Sequence, residues 1–179
     1  MSIAWSGFFA FLFFPVLAQD HQRSPFVEVP AAASDTLRFR TQLGSFEATD
    51  LHGRTWRSVD LRGKVTVVDI WATFCLPCRQ EHPEIQRFYE VTKDSNDVQV
   101  LTFSLDHDPR QVESYMKENK YTFPVIVDGN LVEKLFSSEG GLPKAWVIDR
   151  TGRRSDPFRS WPLGRILLEA QRFASAKPN

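Results

Sequence analysis

The sequence predicts an α/β fold: a mainly parallel sheet covered by helices on both faces, with an antiparallel hairpin at one edge. Three observations point there. Two apolar runs rich in β-branched residues, 65–70 and 98–105, read as strands buried on both faces. The stretches after each of them repeat apolar residues at helical spacing, so strands and helices alternate along the chain. The 179 residues, 42% hydrophobic and 25% charged, suffice for one domain with its own core, and they show neither an internal repeat nor a second domain.

Residues 1–18 carry no Asp, Glu, Lys or Arg, and Phe8, Phe9, Phe11, Phe13 and Phe14 crowd into them. The run is shorter than the roughly 20 apolar residues of a spanning helix. Pro15 breaks its end, and Val16-Leu17-Ala18 places small residues where a signal peptidase cuts. The expectation is a signal peptide over 1–18, or a membrane anchor if it is not cleaved; a buried core helix is the remaining reading, and the n-region lacks Lys and Arg. Signal and anchor both export the domain to a periplasmic or other extracytoplasmic, oxidising compartment. Residues 19–44, with Pro25, Pro30 and the Ala31-Ala32-Ala33 run, read as an extended leader, and 45–179 as the folded domain.

Short alternation from Phe46 to Trp56 around Asp50-Leu51-His52-Gly53 suggests a hairpin, and Gly63-Lys64 turns into the first buried strand. A helix is expected from near Cys75 to Asp94, with Ile85, Phe88, Tyr89 and Thr92 on its apolar face. The second buried strand, 98–105, leads to Asp108-Pro109, an N-cap followed by proline at the first helical position. Val112, Tyr115 and Met116 are the stripe of that helix. A strand at 124–127, a short helix at 131–136, a strand at 145–149 and a turn at Thr151-Gly152 back through Arg153 and Arg154 follow. Leu163, Ile166, Leu167 and Ala170 mark a terminal helix.

With 22 Lys+Arg against 22 Asp+Glu the chain is neutral, which supplies no electrostatic reason to bind nucleic acid or an anionic membrane surface. Removing residues 1–18 leaves that balance unchanged. The Arg cluster at 150, 153, 154 and 159 reads as a solvated face.

The only cysteines, Cys75 and Cys78, are too close for their bridge to remove much chain entropy, so the pair is chemical rather than architectural. Cys75 falls where a buried strand gives way to a helix. Free N–H groups and the positive end of the helix dipole favour a thiolate there, with pKa values of roughly 3.5 to 7.5 against about 8.5 for a free cysteine. Cys75 is the expected nucleophile. Cys78, one turn later on the same face, can attack a mixed disulfide on Cys75 and release the reduced partner. Paired thiols also bind metal; no other Cys exists to close a zinc site, but His82 could join the pair around copper.

The block Trp71-Ala72-Thr73-Phe74-Cys75-Leu76-Pro77-Cys78, followed by Arg79, Glu81 and Pro83, resembles the active site of TlpA/ResA-type thiol-disulfide oxidoreductases, exported members of the thioredoxin superfamily. Gly63-Lys64 before the active-site strand and Gly141-Leu142-Pro143 before the strand ending at Asp149 extend the match to most of the domain. The resemblance implies a thioredoxin-like three-layer sandwich with a mixed central sheet, an N-terminal β-hairpin and an inserted strand-helix unit near 98–120. It implies protein disulfide or dithiol substrates, kept reduced in the periplasm and often serving cytochrome c maturation. It also implies an upstream membrane electron donor and no cofactor beyond the Cys75-Cys78 pair.

By the same resemblance Pro143 matches the superfamily's cis-proline, whose loop faces the dithiol and, with Leu142, Trp71 and Phe74, would receive substrate. Asp69 matches the buried aspartate beneath the second cysteine, where a desolvated carboxylate could accept the proton of Cys78. Glu81 matches an acidic residue placed near the dithiol, and Pro83 a helix-kinking proline. Phe74 stands where the family usually has Trp, Leu76 where Gly or Glu is commoner, and Lys144, expected to be exposed, where Thr is frequent. Two other functions compete: a copper chaperone, and a thiol peroxidase, for which the Pro-x-x-x-Thr-x-x-Cys arrangement is lacking.

Overall fold

A computed structural model describes residues 39–136 and 140–158, together with Ile166, Leu168 and Ala170. The expected signal or anchor and most of the expected leader lie outside these residues. The elements are β1 (Phe39–Gln42), β2 (Glu47–Thr49), β3 (Thr55–Arg57), β4 (Val65–Trp71), α1 (Leu76–Thr92), β5 (Val98–Ser104), α2 (Pro109–Asn119), β6 (Val125–Val127), α3 (Gly129–Phe136), β7 (Lys144–Ile148) and β8 (Arg153–Ser155). Ile166, Leu168 and Ala170 are helical, Ile166 and Ala170 buried, as the terminal stripe predicts; Leu163 and Leu167 lie outside the described residues.

Among the described residues six strands form one sheet in the order β1-β8-β7-β4-β5-β6. β4, β5 and β6 run parallel, while β7, β8 and β1 add antiparallel strands on the other side. Every residue of β4 is buried, because this central strand is covered on both faces. Alternation divides the core. Val65, Val67 and Trp71 of β4, with Val98 and Val100 of β5, pack with Ile85 and Phe88 of α1 and Val112, Tyr115 and Met116 of α2. Val68 and Ile70, with Leu101 and Phe103, pack with Trp56, Trp146 and the Val132, Leu135 and Phe136 face of α3. This is the mixed sheet with helices on both faces that the resemblance implies.

Three expectations change. The sheet is mixed rather than mainly parallel, because β7, β8 and β1 join it through antiparallel pairs. The hairpin is not an edge of the main sheet, because β2 and β3 pair only with each other and lay Trp56 onto the core. The leader was expected to run to Gly44, but Phe39–Gln42 is an edge strand on β8. Gln42 secures it by donating its amide to the carbonyls of Thr151, 3.2 Å, and Gly152, 3.0 Å. Gly152 has φ +84°, a conformation that residues with a Cβ rarely adopt, so the turn favours glycine there. Its four residues, Phe39-Arg40-Thr41-Gln42, hold a single apolar side chain, so they offer no periodicity to read.

Helix boundaries follow from local chemistry. Asp108 caps α2 by accepting the Arg110 N–H at 3.0 Å, with Pro109 at the first position. No helix among the described residues is long and apolar enough to cross a membrane.

Candidate redox site

β4 ends at Trp71, and four residues later the chain enters α1. The link is a tight turn in which the Cys75 N–H donates to the Ala72 carbonyl at 3.0 Å. Cys75 is the N-cap of α1, in an extended conformation with its sulfur accepting the Cys78 N–H at 3.3 Å. Pro77 in the first turn costs nothing, since its missing donor would be unpaired anyway. Cys75 and Cys78 are joined as a disulfide with Cα atoms 5.3 Å apart. Cys75 is 8% exposed and Cys78 1%, so a partner reaches Cys75 first. On either side of Cys75, Phe74 and Leu76 are 76% and 63% exposed, an apolar rim at the point of attack.

Asp69 alternates with Val67 and Trp71 and so faces α1, where it is fully buried with Oδ1 lacking a partner. Burial raises its pKa well above the ordinary carboxylate range, and the Glu81 charge raises it further. Glu81 is half-buried one turn beyond Cys78, with Oε2 unpartnered and its pKa pushed up to about 8, first by burial and then by Glu84. The structure thus brings these two acids into electrostatic contact, each of them favouring its protonated form.

Trp71 is buried and donates its indole N–H to Thr102 Oγ1 at 3.2 Å. The Leu142–Pro143 bond is cis. Ile70 pairs with Lys144 across the β4–β7 ladder, so Pro143 lies alongside the end of β4 from which the dithiol turn emerges. Leu142 packs on both halves of the core, including the half that holds the cysteines. Lys144 is 4% exposed, not a solvated lysine: as the first residue of β7 it is held inside the sheet by that ladder. Of the Arg cluster, Arg150 forms an ion pair with Asp97 at 3.0 Å, and Arg159 lies outside the described residues. Pro83 lies inside α1.

His82 packs among aromatic rings rather than beside the two sulfurs as ligands of one site. It is fully buried, its ring set edge-on against Trp71, Tyr115, Tyr121 and Phe123, with Nδ1 2.8 Å from the Tyr115 hydroxyl. Burial, and then the Arg79 charge, lower its pKa to about 3, so the ring is neutral. No three His, Cys, Asp or Glu side chains converge on a metal site among the described residues, and the trio of Cys75, Cys78 and His82 is not assembled.

Sequence reasoning missed Thr73, Ser104 and Asp106. Asp106 follows β5 and takes both donors of Thr73, two residues before the nucleophile. A polar pair at the carboxyl end of a parallel strand, where α/β sheets place their sites, is the signal that could have found them. Two clefts, of about 320 Å³ beside the Asp50–Arg54 turn and about 420 Å³ beside Asp106 and Asp128, do not include the cysteines in their walls.

A model of the AhpC/TSA family matches residues 40–153. The thiol-disulfide oxidoreductase ResA of Bacillus cereus is 28% identical over 122 residues, 68% of this chain and 70% of the relative. ResA of Geobacillus thermodenitrificans is 30% identical over 108 residues, 60% of this chain, and only 62% of that relative's length is covered. The crystal structure of a thiol:disulfide interchange protein, a thioredoxin family protein from Chlorobium tepidum TLS, superposes with a TM-score of 0.66 at 23% identity. It covers 75% of this chain and 97% of its own. That likeness shows the thioredoxin fold.

Proposed function

From a chain that belongs to the AhpC/TSA family and is of the TlpA/ResA type within the thioredoxin superfamily, we propose an exported thiol-disulfide oxidoreductase that reduces protein disulfides through Cys75. The observation that carries this reading is the placement of the pair: Cys75 capping a helix at an apolar rim, Cys78 one turn inward and closed to solvent.

In the reduced protein the Cys75 thiolate attacks one sulfur of a partner disulfide, forming a Cys75–partner bond and releasing the other partner sulfur as thiolate. Cys78 then loses its proton and attacks Cys75 Sγ. The partner leaves with both sulfurs reduced, and the Cys75–Cys78 bond of the described state forms. An upstream membrane dithiol returns two electrons and reopens that bond. Asp69 and Glu81 suit the proton in both directions. In the disulfide state they hold it, because burial favours the neutral acid. When the bond reopens the proton passes to the departing Cys78 thiolate, and it comes back when Cys78 next attacks.

Phe74, Leu142 and Pro143 line the receiving surface, and Trp71 supports it from beneath. The exported setting rests on the uncharged apolar residues 1–18. A thiol peroxidase finds less support: the positions seven and three residues before Cys75 are Val68 and Ala72, both buried, where that arrangement uses Pro and Thr.

Trapping tests the reading. Cys78→Ser incubated with an oxidised protein substrate accumulates mixed disulfides and Cys75→Ser does not; equal behaviour of the two defeats it. The Cys75–Cys78 reduction potential then sets direction, near about −270 mV for a reductant and near about −120 mV for an oxidant.

A further inference from the structure

We infer that Asp106 and Thr73 form a positioning clamp that sets the reactivity of the Cys75 thiol, an inference that rests on the exchange reading above. Asp106 is 5% exposed, and all the hydrogen bonds found at its carboxylate converge from the active-site turn and the end of β5. Oδ2 accepts the Thr73 N–H at 2.8 Å and the Ser104 hydroxyl at 2.6 Å, and Oδ1 accepts the Thr73 hydroxyl at 2.6 Å. Ser104 Oγ in turn accepts the Asp106 N–H at 3.0 Å, so the carboxylate is itself held in place. Nearby, the Leu105 N–H donates to the Trp71 carbonyl at 2.9 Å, tying the same two strand ends together.

Thr73 is the second residue of the four-residue turn closed by Cys75 N–H and the Ala72 carbonyl. Both of its donors go to one carboxylate, which fixes its backbone and its side chain at once. That leaves the turn little freedom before it delivers Cys75 to the head of α1. There the sulfur meets the Cys78 N–H and the helix dipole that favour the thiolate. The charge of Asp106 by itself works the other way, since a nearby anion disfavours a second one. An acid held this close to the nucleophile's turn is therefore there for its geometry: it is a strong double acceptor that an amide cannot replace. Without it the turn loosens and the thiolate loses its donors.

Geometry and charge predict opposite signs, which makes the clamp testable. Cys78→Ser leaves Cys75 as the one thiol, so the pH dependence of its alkylation by iodoacetamide reports its titration directly. In that background Asp106→Asn and Thr73→Val each move the midpoint to higher pH by about one unit, a roughly tenfold weaker acid. Thr73→Ser, which keeps both donors, restores the parent midpoint. With Cys78 present, the same two substitutions make the reduction potential more negative, because the reduced form loses stabilised thiolate. A midpoint that falls in Asp106→Asn shows charge alone at work and overturns the clamp. So does a Thr73→Val midpoint equal to the parent's, even where thermal stability drops. Should Asp106→Asn not fold, Thr73→Val, which retains the backbone bond to Asp106, decides the matter. Absence of mixed disulfides on the Cys78→Ser parent is a separate result that defeats the exchange reading and leaves the titration to judge the clamp.

Discussion

His82 Nδ1 lies 2.8 Å from the Tyr115 hydroxyl, joining α1 to α2 inside a box of aromatic rings. A neutral imidazole suits that box. The folded protein holds its pKa at about 3 against an ordinary 6.5, so acid protonates the ring in the unfolded chain first. The stabilisation is whole above pH 6.5 and is lost as pH falls toward 3. His82→Phe should therefore lower stability at pH 7 by about 1–3 kcal/mol, through the lost bond and the stranded hydroxyl. Its acid slope should also be flatter than that of the wild type. Urea midpoints at pH 7 and pH 4.5 check both; parallel losses for variant and wild type would show that His82 titrates alike in the folded and unfolded chain.

Glu81 carries the opposite sign. Its folded pKa of about 8 lies above the ordinary 4.5, so the folded disulfide form binds the extra proton, and stability falls as pH rises from 4.5 to 8. Glu81→Gln should flatten that fall, measured by chemical denaturation of the oxidised protein. It should also slow resolution, so that mixed disulfides on Cys75 persist with Cys78 intact. The loss should fall below the roughly 100-fold expected of a lone acid-base group, because Asp69 remains.

Phe74 is 76% exposed, so Phe74→Ala should change stability by less than about 0.5 kcal/mol. Its cost should appear in recognition. The expected result is a several-fold drop in kcat/KM toward an unfolded disulfide protein, with a smaller change toward oxidised glutathione, which offers no apolar flank. Equal losses on both substrates would place Phe74 in the chemistry of Cys75 rather than at the rim.

Asp50 organises the hairpin turn, with Oδ1 accepting the His52 and Arg54 N–H groups at 2.8 and 3.0 Å and Oδ2 the Trp56 indole N–H at 2.8 Å. Asp50→Ala strands a buried indole donor and two turn amides. The expected loss is about 2–4 kcal/mol, and Asp50→Asn should lose less because one acceptor survives. Thermal or urea unfolding measures the difference.

How far the sequence could be read depended on whether a feature was local. β4, β5 and the stripes of α1 and α2 were legible because burial on one or two faces writes its period into neighbouring residues. The Asp108 cap and the Cys75 strand-to-helix junction were legible because capping is settled by residues next to one another in the chain. β1 was not, because its partner β8 lies over 100 residues away and its four residues hold only one apolar side chain. Lys144 misled, because its type speaks for solvent while its place at the head of β7 puts it inside the sheet.

By itself the sequence determined the order of the core strands and helices from β4 onward and the dithiol at the head of a helix, with Pro143, Asp69 and Glu81 singled out by resemblance. Only the tertiary structure decided what surrounds that dithiol. It set Asp106 on Thr73 across 33 residues, sealed His82 against Tyr115 across another 33, and brought Asp69 and Glu81 close enough to share a field. The reason is physical. Helix caps arise from bonds between near neighbours and apolar periods are written into successive positions of one element, whereas long-range hydrogen-bond partners and desolvation depend on which strand ends and helix faces meet once the sheet has closed.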